Sequence, residues 1–194
     1  MKFILVSKQM EVNGGAMDVI EELKSQISTQ NLWAREIRLK RNEYLIRAGA
    51  VERYLYFIEE GTLRAFIEEG GEEQEIRFAY PGSVFTALDS FFSGKPTRFN
   101  IQAIKQCKVR AVVKKAFNNL MASSEENSQL HLLMLKGFVV QQIEREIDIL
   151  TTSPTERYRR VLERSPHLFQ EIPSKYIASY LRMTPETLSR IKKS

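Results

Sequence analysis

The sequence predicts an α+β protein in which a double-stranded β-helix (jelly-roll) barrel precedes a long helix and a C-terminal pair of short helices. Three observations support this prediction. Short segments of alternating polar and apolar residues, separated by turn residues, occupy residues 32–113. After Lys115 the apolar residues recur at helical spacing instead. The net charge of +5 is carried by the last quarter of the chain, which indicates a separate, basic C-terminal region.

The composition limits the class of protein. Of the 194 residues, 43% are apolar and 27% are charged, which is typical of a chain that buries a substantial core. A single cysteine, Cys107, excludes an intramolecular disulfide framework and a four-cysteine metal or iron–sulfur site. The N-terminal apolar run is too short for a secretory signal, and no apolar stretch reaches membrane-spanning length. These features predict a cytoplasmic protein that does not contact a membrane.

The first part of the chain divides into an N-terminal segment, residues 1–31, and a predicted barrel, residues 32–123. Apolar residues at helical spacing predict a short helix over residues 17–27. Strands of the barrel are predicted at 35–40, 54–58, 63–67, 75–80, 99–103 and 109–113. Gly70 and Gly71 suit a hairpin turn because both accept positive φ. Six or more short strands at this spacing predict an antiparallel jelly roll.

A long helix is predicted over residues 124–150. Its main apolar stripe, with Lys136 as the polar exception, comprises Leu133, Val140, Ile143, Ile147 and Leu150. Further apolar residues widen the band near its start: Leu132, Leu135, Phe138 and Val139. Such a helix lies against more than one neighbour. Either it only covers the barrel, or it also pairs with the same helix of a second copy. The stripe continues past the reach of a small barrel, which favours pairing.

The last region, residues 151–194, contains nine Lys and Arg residues and four Asp and Glu residues. Such an excess of positive charge fits a surface that faces nucleic acid, and it also fits a basic tail that is merely well solvated. Ser153 is predicted to cap a helix in which Glu156 completes a capping box and a proline takes the first position. This helix is expected to end near Ser165, and Pro173 marks the start of the next one.

Residues 174–193 have the spacing of a helix-turn-helix. Two short helices that cross steeply need apolar side chains on both facing sides, and these are Ile177, Leu181, Met183, Leu188 and Ile191. The small residue Ala178 suits the crossing point. Thr184 is predicted to cap the second helix, with Pro185 at its first position. Arg182 occupies the turn position that favours glycine, so a strained or differently shaped turn is expected.

In a helix-turn-helix the N-terminal end of the second helix enters the major groove of DNA. The residues predicted to contact DNA are therefore Ser174, Lys175, Thr184, Glu186, Thr187, Ser189, Arg190, Lys192 and Lys193. Arg190 is suited to the O6 and N7 acceptors of guanine, and Glu186 to the amino group of cytosine. A helical hairpin with a solvated basic face is the alternative interpretation of this segment.

Over nearly its whole length the chain resembles the family of the cyclic-AMP receptor protein and the fumarate–nitrate regulator (Crp/Fnr). The segments from Ile172 to Ala178 and from Thr184 to Arg190 are similar to the DNA-reading signature of that family. The resemblance implies a jelly-roll effector domain, a long dimerisation helix and a C-terminal helix-turn-helix. It therefore implies a homodimer through helix 124–150 that binds double-stranded DNA, with RNA polymerase as a candidate further partner.

The chain departs from the family pattern at two places in this region. The glutamate and the second arginine of the family correspond to Glu186 and Arg190, but the first base-reading arginine corresponds to Pro185. The family continues past the recognition helix into a β-hairpin wing, whereas this sequence ends at Ser194. A helix-turn-helix that lacks a full wing is therefore expected, with weaker or partner-assisted DNA binding.

The phosphate-binding cassette of the family aligns with residues 82–98. In nucleotide-binding members a glutamate and an arginine bind the ribose and the cyclic phosphate, and Ala87 and Thr97 stand at these positions. Because threonine has no charge to pair with a phosphate, conventional binding of cyclic AMP is not expected. No cofactor is assigned with certainty, and a pocket for an unknown small-molecule effector is predicted at Gly82, Ser83, Val84, Phe85, Thr86, Asp89, Ser90, Thr97 and Arg98.

Two other classes of function compete with this one. A cupin-type metalloenzyme needs two or three histidines inside its barrel, but His131 and His167 both lie outside residues 32–113. Nucleotide-binding and hydrolase motifs are absent as well, so neither catalytic residues nor a metal site is predicted. The alternative is a ligand-binding or protein-interaction module with a decayed helix-turn-helix. Arg182 and Pro185 favour it, and the localised positive charge opposes it.

Overall fold

The computed structural model describes residues 19–193, and its central part is an antiparallel barrel. Its eight strands are β1 (Trp33–Leu39), β2 (Tyr44–Ile46), β3 (Tyr54–Glu60), β4 (Leu63–Glu69), β5 (Glu72–Ala79), β6 (Val84–Phe85), β7 (Asn100–Ala103) and β8 (Cys107–Val113). They form two four-stranded sheets, with orders β1-β8-β3-β6 and β2-β7-β4-β5. This is the jelly-roll arrangement, and the predicted fold class is confirmed.

The helices of the described residues surround this barrel and follow it. They are α1 (Val19–Thr29), α2 (Leu88–Ser93), α3 (Lys114–Met121), α4 (Glu125–Leu150), α5 (Pro154–Arg164), α6 (Pro166–Glu171), α7 (Ser174–Tyr180) and α8 (Pro185–Ile191). The helix predicted over residues 17–27 is observed from Val19, and its first two residues lie outside the described range. Within that range, no helix combines the length and the apolar character needed to cross a membrane.

The hairpin between β4 and β5 forms at the predicted glycines. Glu69 pairs with Glu72, so that Gly70 and Gly71 alone make the turn. Their φ angles are +62° and +83°, which is the left-handed pair that a two-residue hairpin loop requires. The acidic residues around this turn are exposed and do not disturb the barrel.

Strand β3 shows how the core is divided into two layers. Its side chains alternate between the two faces of the sheet, as a strand requires. Tyr56 and Ile58 point into the barrel. Leu55 and Phe57 point outward into a second cluster, where α1, α3 and α4 cover the sheet. Phe57 is buried there and packs edge-on against Trp33, with 5.2 Å between ring centroids.

Helix α4 presents two different faces. One face packs on the barrel through Leu130 and Met134, with Leu133 beside them. The other face leaves large apolar side chains exposed, namely Leu132, Val139, Ile143, Ile147 and Leu150. The predicted main apolar stripe begins with Leu133 and Val140, whereas the exposed face begins with Leu132 and Val139, because Leu133 packs against the core.

The C-terminal helices share a core with the barrel. Phe78, Tyr80 and Ile104 of the barrel contribute to it, together with Val161, Leu168, Ile172, Ile177, Ala178, Tyr180, Leu181 and Leu188. At the start of α5, Ser153 Oγ accepts a hydrogen bond from the Glu156 backbone N–H at 3.3 Å, as predicted. The Glu156 carboxylate pairs with Arg159 at 2.8 Å rather than completing the capping box, since a charge-assisted bond is the stronger one.

Candidate nucleic-acid interface and effector pocket

Helices α7 and α8 form the two helices of the predicted helix-turn-helix. The apolar residues Ile177, Leu181 and Leu188 are buried between them, together with the small residue Ala178 at the crossing. Thr184 caps α8, because its Oγ1 accepts a hydrogen bond from the Thr187 backbone N–H at 3.2 Å. The predicted packing and the predicted cap are therefore both present.

Arg182, in the turn between α7 and α8, has a positive φ although it is not a glycine. Its φ is +53°, so an arginine adopts the left-handed conformation that glycine adopts most easily. A non-glycine residue in this region costs about 1–2 kcal/mol. The Arg182 guanidinium donates a hydrogen bond to the side chain of Gln74 on β5, which offsets part of this cost. The turn is thus strained, which is one of the two predicted outcomes, and it is anchored to the barrel.

The residues predicted to contact DNA all carry some solvent exposure. Glu186, Ser189 and Arg190 are exposed on α8, whereas Thr187 is half-buried. Lys192 Nζ donates to Ser174 Oγ at 3.0 Å, which joins the end of α8 to the start of α7. The remaining exposed members of the set are Lys175, Thr184 and Lys193. Hydrogen bonding to the Glu186 backbone N–H and to Thr184 holds the pKa of the Glu186 carboxyl below its ordinary value.

The first helix of this unit, α7, rests on a buried charged cluster of the barrel. Arg64 is 3% exposed and lies on β4. Its guanidinium donates to Glu75 at 2.6 Å and to Glu73 at 2.9 Å. The ring centroid of Tyr176 lies 4.6 Å from that guanidinium, and Ser179 Oγ accepts from the Glu75 backbone N–H at 3.2 Å. Burial raises the pKa of Glu75 to about 7, whereas the hydrogen bond from Arg64 lowers the pKa of Glu73.

The predicted effector pocket is divided into two parts. One part surrounds Asp89, whose Oδ1 accepts hydrogen bonds from the Ser90 backbone N–H and from Thr97 Oγ1, both at 2.8 Å. Its Oδ2 accepts from the Arg98 backbone N–H at 3.0 Å. The Arg98 side chain is exposed and lies 4.0 Å from Glu69. The Asp89 carboxylate therefore already accepts the hydrogen bonds that Thr97 and the neighbouring backbone N–H groups could donate to a ligand.

The other part lines a different, small cavity. Ser83, Val84, Phe85 and Thr86 border a space of about 50 Å³ between the barrel, α4 and the C-terminal helices. Gly82 makes the preceding turn with a φ of +83°. Sequence reasoning missed the charged residues of this cavity, Arg77 and Arg145, and it missed Arg64. A charged residue in a strand or on an amphipathic helix looks like a surface residue until its neighbour in space is known.

Within residues 19–193, no group of three or more His, Cys, Asp or Glu side chains is arranged to hold a metal ion. Cys107, which is free, is buried, and burial raises the pKa of its thiol to about 11. His131 packs edge-on against Phe117, with 5.6 Å between the ring centroids. Cys107 and His131 are thus both engaged in packing.

Comparison with known proteins agrees with this geometry. Residues 36–124 match the family model of the cyclic nucleotide-binding domain. The structure of FixK2 from Bradyrhizobium japonicum is 21% identical, covers 82% of both chains and superposes with a TM-score of 0.67. That of a CooA mutant from Carboxydothermus hydrogenoformans is 15% identical, with a TM-score of 0.70, and covers 92% of this chain and 84% of the other.

The catabolite activator protein of Thermus thermophilus is 18% identical, with a TM-score of 0.53 and coverage of 93% of this chain and 84% of the other. No curated protein matches the sequence. The chain thus contains, over residues 36–124, a segment that matches the cyclic nucleotide-binding domain. More particularly, its described residues have the fold of the Crp/Fnr transcription regulators, and the resemblance seen in the sequence is confirmed.

Proposed function

We propose that the chain is a homodimeric transcription regulator of the cytoplasm that binds double-stranded DNA through α8. The observation that carries this proposal is the helix-turn-helix itself. Its cap, its buried contacts and its left-handed turn are all formed, and it leaves Glu186 and Arg190 exposed. Glu186 lies in the first turn of this short helix and Arg190 in its last turn, and exposed charged residues on a recognition helix are placed to contact base edges. The excess of positive charge in residues 151–194 supports attraction to phosphates.

The partner in the homodimer is a second copy of α4. Along this helix, seven-residue steps join Leu132, Val139 and Glu146, and a second series joins Lys136, Ile143 and Leu150. Val139 is 58% exposed and Leu150 is 70% exposed, although both are large apolar residues. Seven-residue spacing is typical of two helices in a coiled coil, and in a two-fold symmetric dimer the same face of the helix from each copy meets at the axis. We name the exposed apolar residues of this face the α4 seam: Leu132, Val139, Ile143, Ile147 and Leu150.

The proposed dimer explains how an effector could change DNA binding. Two recognition helices must lie about 34 Å apart to read two half-sites on one face of DNA. A change in the angle between the two α4 helices alters that spacing. Control through the cyclic nucleotide-binding domain therefore acts through α4, which contacts both the barrel and the C-terminal helices.

Arg190→Ala tests the DNA-binding surface. The variant is expected to bind the operator, first obtained by selection from random duplexes, more weakly by about 1–3 kcal/mol, with a relaxed base preference. Fluorescence anisotropy at two salt concentrations measures this. The control is Arg159→Ala, which removes an exposed arginine of α5 that pairs with Glu156 and Glu163. Equal affinity of wild type and Arg190→Ala would favour the alternative, a binding module with a decayed helix-turn-helix, for which Pro185 is the main support.

We further propose that cyclic AMP is not the effector in the conventional way. The position of the phosphate-binding arginine is Thr97, and its hydroxyl is bonded to the Asp89 carboxylate. A cyclic phosphate placed there would lack a charged partner and would meet a negative charge. Isothermal titration of cyclic AMP is expected to show no micromolar binding, because one lost charged hydrogen bond is worth about 1.5–3 kcal/mol. Saturable binding of cyclic AMP with micromolar affinity, lost in the variant Thr97→Val, would contradict this proposal.

A further inference from the structure

A cavity of about 50 Å³ lies where three parts of the chain meet. The barrel contributes Arg77, α4 contributes Gln141 and Arg145, and the C-terminal helices contribute Leu168 and Tyr180. One water needs about 10–15 Å³ of such space, so the cavity has room for more than one water or for a small ligand. Whatever occupies it contacts the sensor barrel, the long helix and the DNA-binding region together.

Arg145 is buried in this cavity with part of its hydrogen bonding unused. It is 6% exposed, and its Nη1 has no hydrogen-bond partner among the described residues. Its Nη2 reaches the Glu75 carbonyl oxygen only at 3.4 Å. The guanidinium lies 3.7 Å from the ring centroid of Tyr180, which supports the cation from one face. A buried charged donor without an acceptor is unfavourable, and an acceptor that enters the cavity removes this penalty.

Arg77 adds a second positive charge that is met by neutral groups. Its guanidinium donates to the amide oxygens of Gln142 at 2.8 Å and of Gln141 at 3.4 Å. The residues of the described chain that line the cavity include no Asp or Glu. Asp148, one turn beyond Arg145 on α4, is already paired with Arg160 and Arg164. Burial lowers the pKa of both Arg77 and Arg145, as expected for cations that lack a full counter-charge.

We propose that this cavity binds a small oxyanion group through Arg145 and Arg77, either an inorganic anion or the carboxylate or phosphate group of a small metabolite. The guanidinium fork matches such groups in shape and charge. This inference rests on the proposed function in one respect: it names the chemical class of the effector. The cavity is bordered by Ser83 to Thr86 of the cassette but not by Asp89, whose carboxylate already accepts hydrogen bonds from Thr97 and the Arg98 backbone. A ligand that joins three parts of the chain stabilises the arrangement in which all three are in contact.

Calorimetric titration of the purified full-length chain with inorganic phosphate, and separately with acetate, tests this site. Chloride at equal ionic strength is the reference. We expect saturable binding of one anion per chain, and a preference between the two anions identifies the phosphate or the carboxylate source. Arg145→Met and Arg77→Met are each expected to weaken binding at least about tenfold, because each removes a charged hydrogen bond. The matched control Arg41→Met, at an exposed arginine of the barrel, is expected to bind as wild type does.

Two results would overturn the proposal: wild type that shows no saturable binding of either anion, or Arg145→Met and Arg77→Met variants that bind as wild type does. The cavity would then hold water alone. Arg145→Met removes a buried charge, so its thermal unfolding without anion shows whether the fold is retained, and the wild-type titration decides in either case. The assay contains no DNA, so its failure leaves the proposed DNA binding untouched, and a failure of DNA binding leaves anion binding measurable.

Discussion

Ile143→Glu is expected to convert the homodimer into a monomer and to lower its affinity for a two-half-site operator at least about 100-fold. The α4 seam places Ile143 against its own copy, so the substitution brings two carboxylates into an apolar contact. Burying an unpaired charge costs several kcal/mol, and a loss of about 2.7 kcal/mol already corresponds to 100-fold. Light scattering after size-exclusion chromatography measures the mass, and DNA titration measures the affinity.

The control for this prediction is Ile149→Glu, which makes the same substitution at another exposed isoleucine of α4. From the 3.6-residue turn, Ile149 lies about 100° around the helix from Leu150 and outside the seam. This variant is expected to remain a dimer. A dimeric Ile143→Glu, or dissociation by both substitutions alike, would contradict the seam as the dimer contact.

Arg64→Met is expected to reduce the free energy of unfolding by about 3–5 kcal/mol at pH 8. A loss of stability of this size is expected because removal of one partner of a buried ion pair leaves the other charge buried and uncompensated. Glu75 is the partner concerned, since it is as buried as Arg64, while the half-exposed Glu73 returns to water. Urea unfolding followed by circular dichroism measures the loss.

The effect of Arg64→Met depends on pH in a definite direction. Burial raises the pKa of folded Glu75 above its unfolded value of 4.5, to about 7 in the wild type. A raised folded pKa means that the contribution to stability is present below pH 4.5 and is lost as the pH rises through the folded pKa. Without Arg64 the pKa of Glu75 rises further. The variant is therefore expected to be closest to the wild type at pH 5 and furthest from it at pH 8.

A second substitution separates the charge effect from lost packing. Glu75→Gln added to Arg64→Met removes the unpaired carboxylate, so the double variant is expected to regain stability at pH 8 and to lose the pH dependence. Arg38→Met is the control, because Arg38 forms an exposed ion pair with Glu36 and such pairs contribute about 0–1 kcal/mol. A pH-independent loss in Arg64→Met would show that packing, and not the charge of Glu75, is responsible.

The barrel and the helix-turn-helix could be predicted from sequence because their signals are local. Alternation marks a strand of five or more residues, and a cap such as Thr184 is defined by residues three positions apart. Strands β2 and β6, with three and two residues, are too short to show any period. The exposed apolar face of α4 begins one residue earlier than the predicted stripe. Leu132 and Leu133 are both apolar, and only the barrel determines which of them it buries.

The charged residues of the interior could not be predicted for a different reason. Arg64 occupies a polar position in an alternating strand, and this pattern is that of a strand with one face in water. Helix α7, more than 100 residues later, covers that face and buries the arginine. Asp89 was predicted to line an effector pocket, and hydrogen bonds from Thr97 and the Arg98 backbone hold its carboxylate in place. Each of these outcomes depends on a partner that sequence spacing does not reveal.

The core that Phe78, Tyr80 and Ile104 share with the C-terminal helices limits how this protein can be divided. Eight of the eleven buried members of this core lie in residues 161–188 and three lie in the barrel, so a fragment cut before residue 151 would leave the side of the core that meets the barrel facing water. An exchange of recognition specificity with a relative must therefore carry strand β5 along with the helices. The proposed DNA-binding helices are thus, in their packing, a continuation of the barrel.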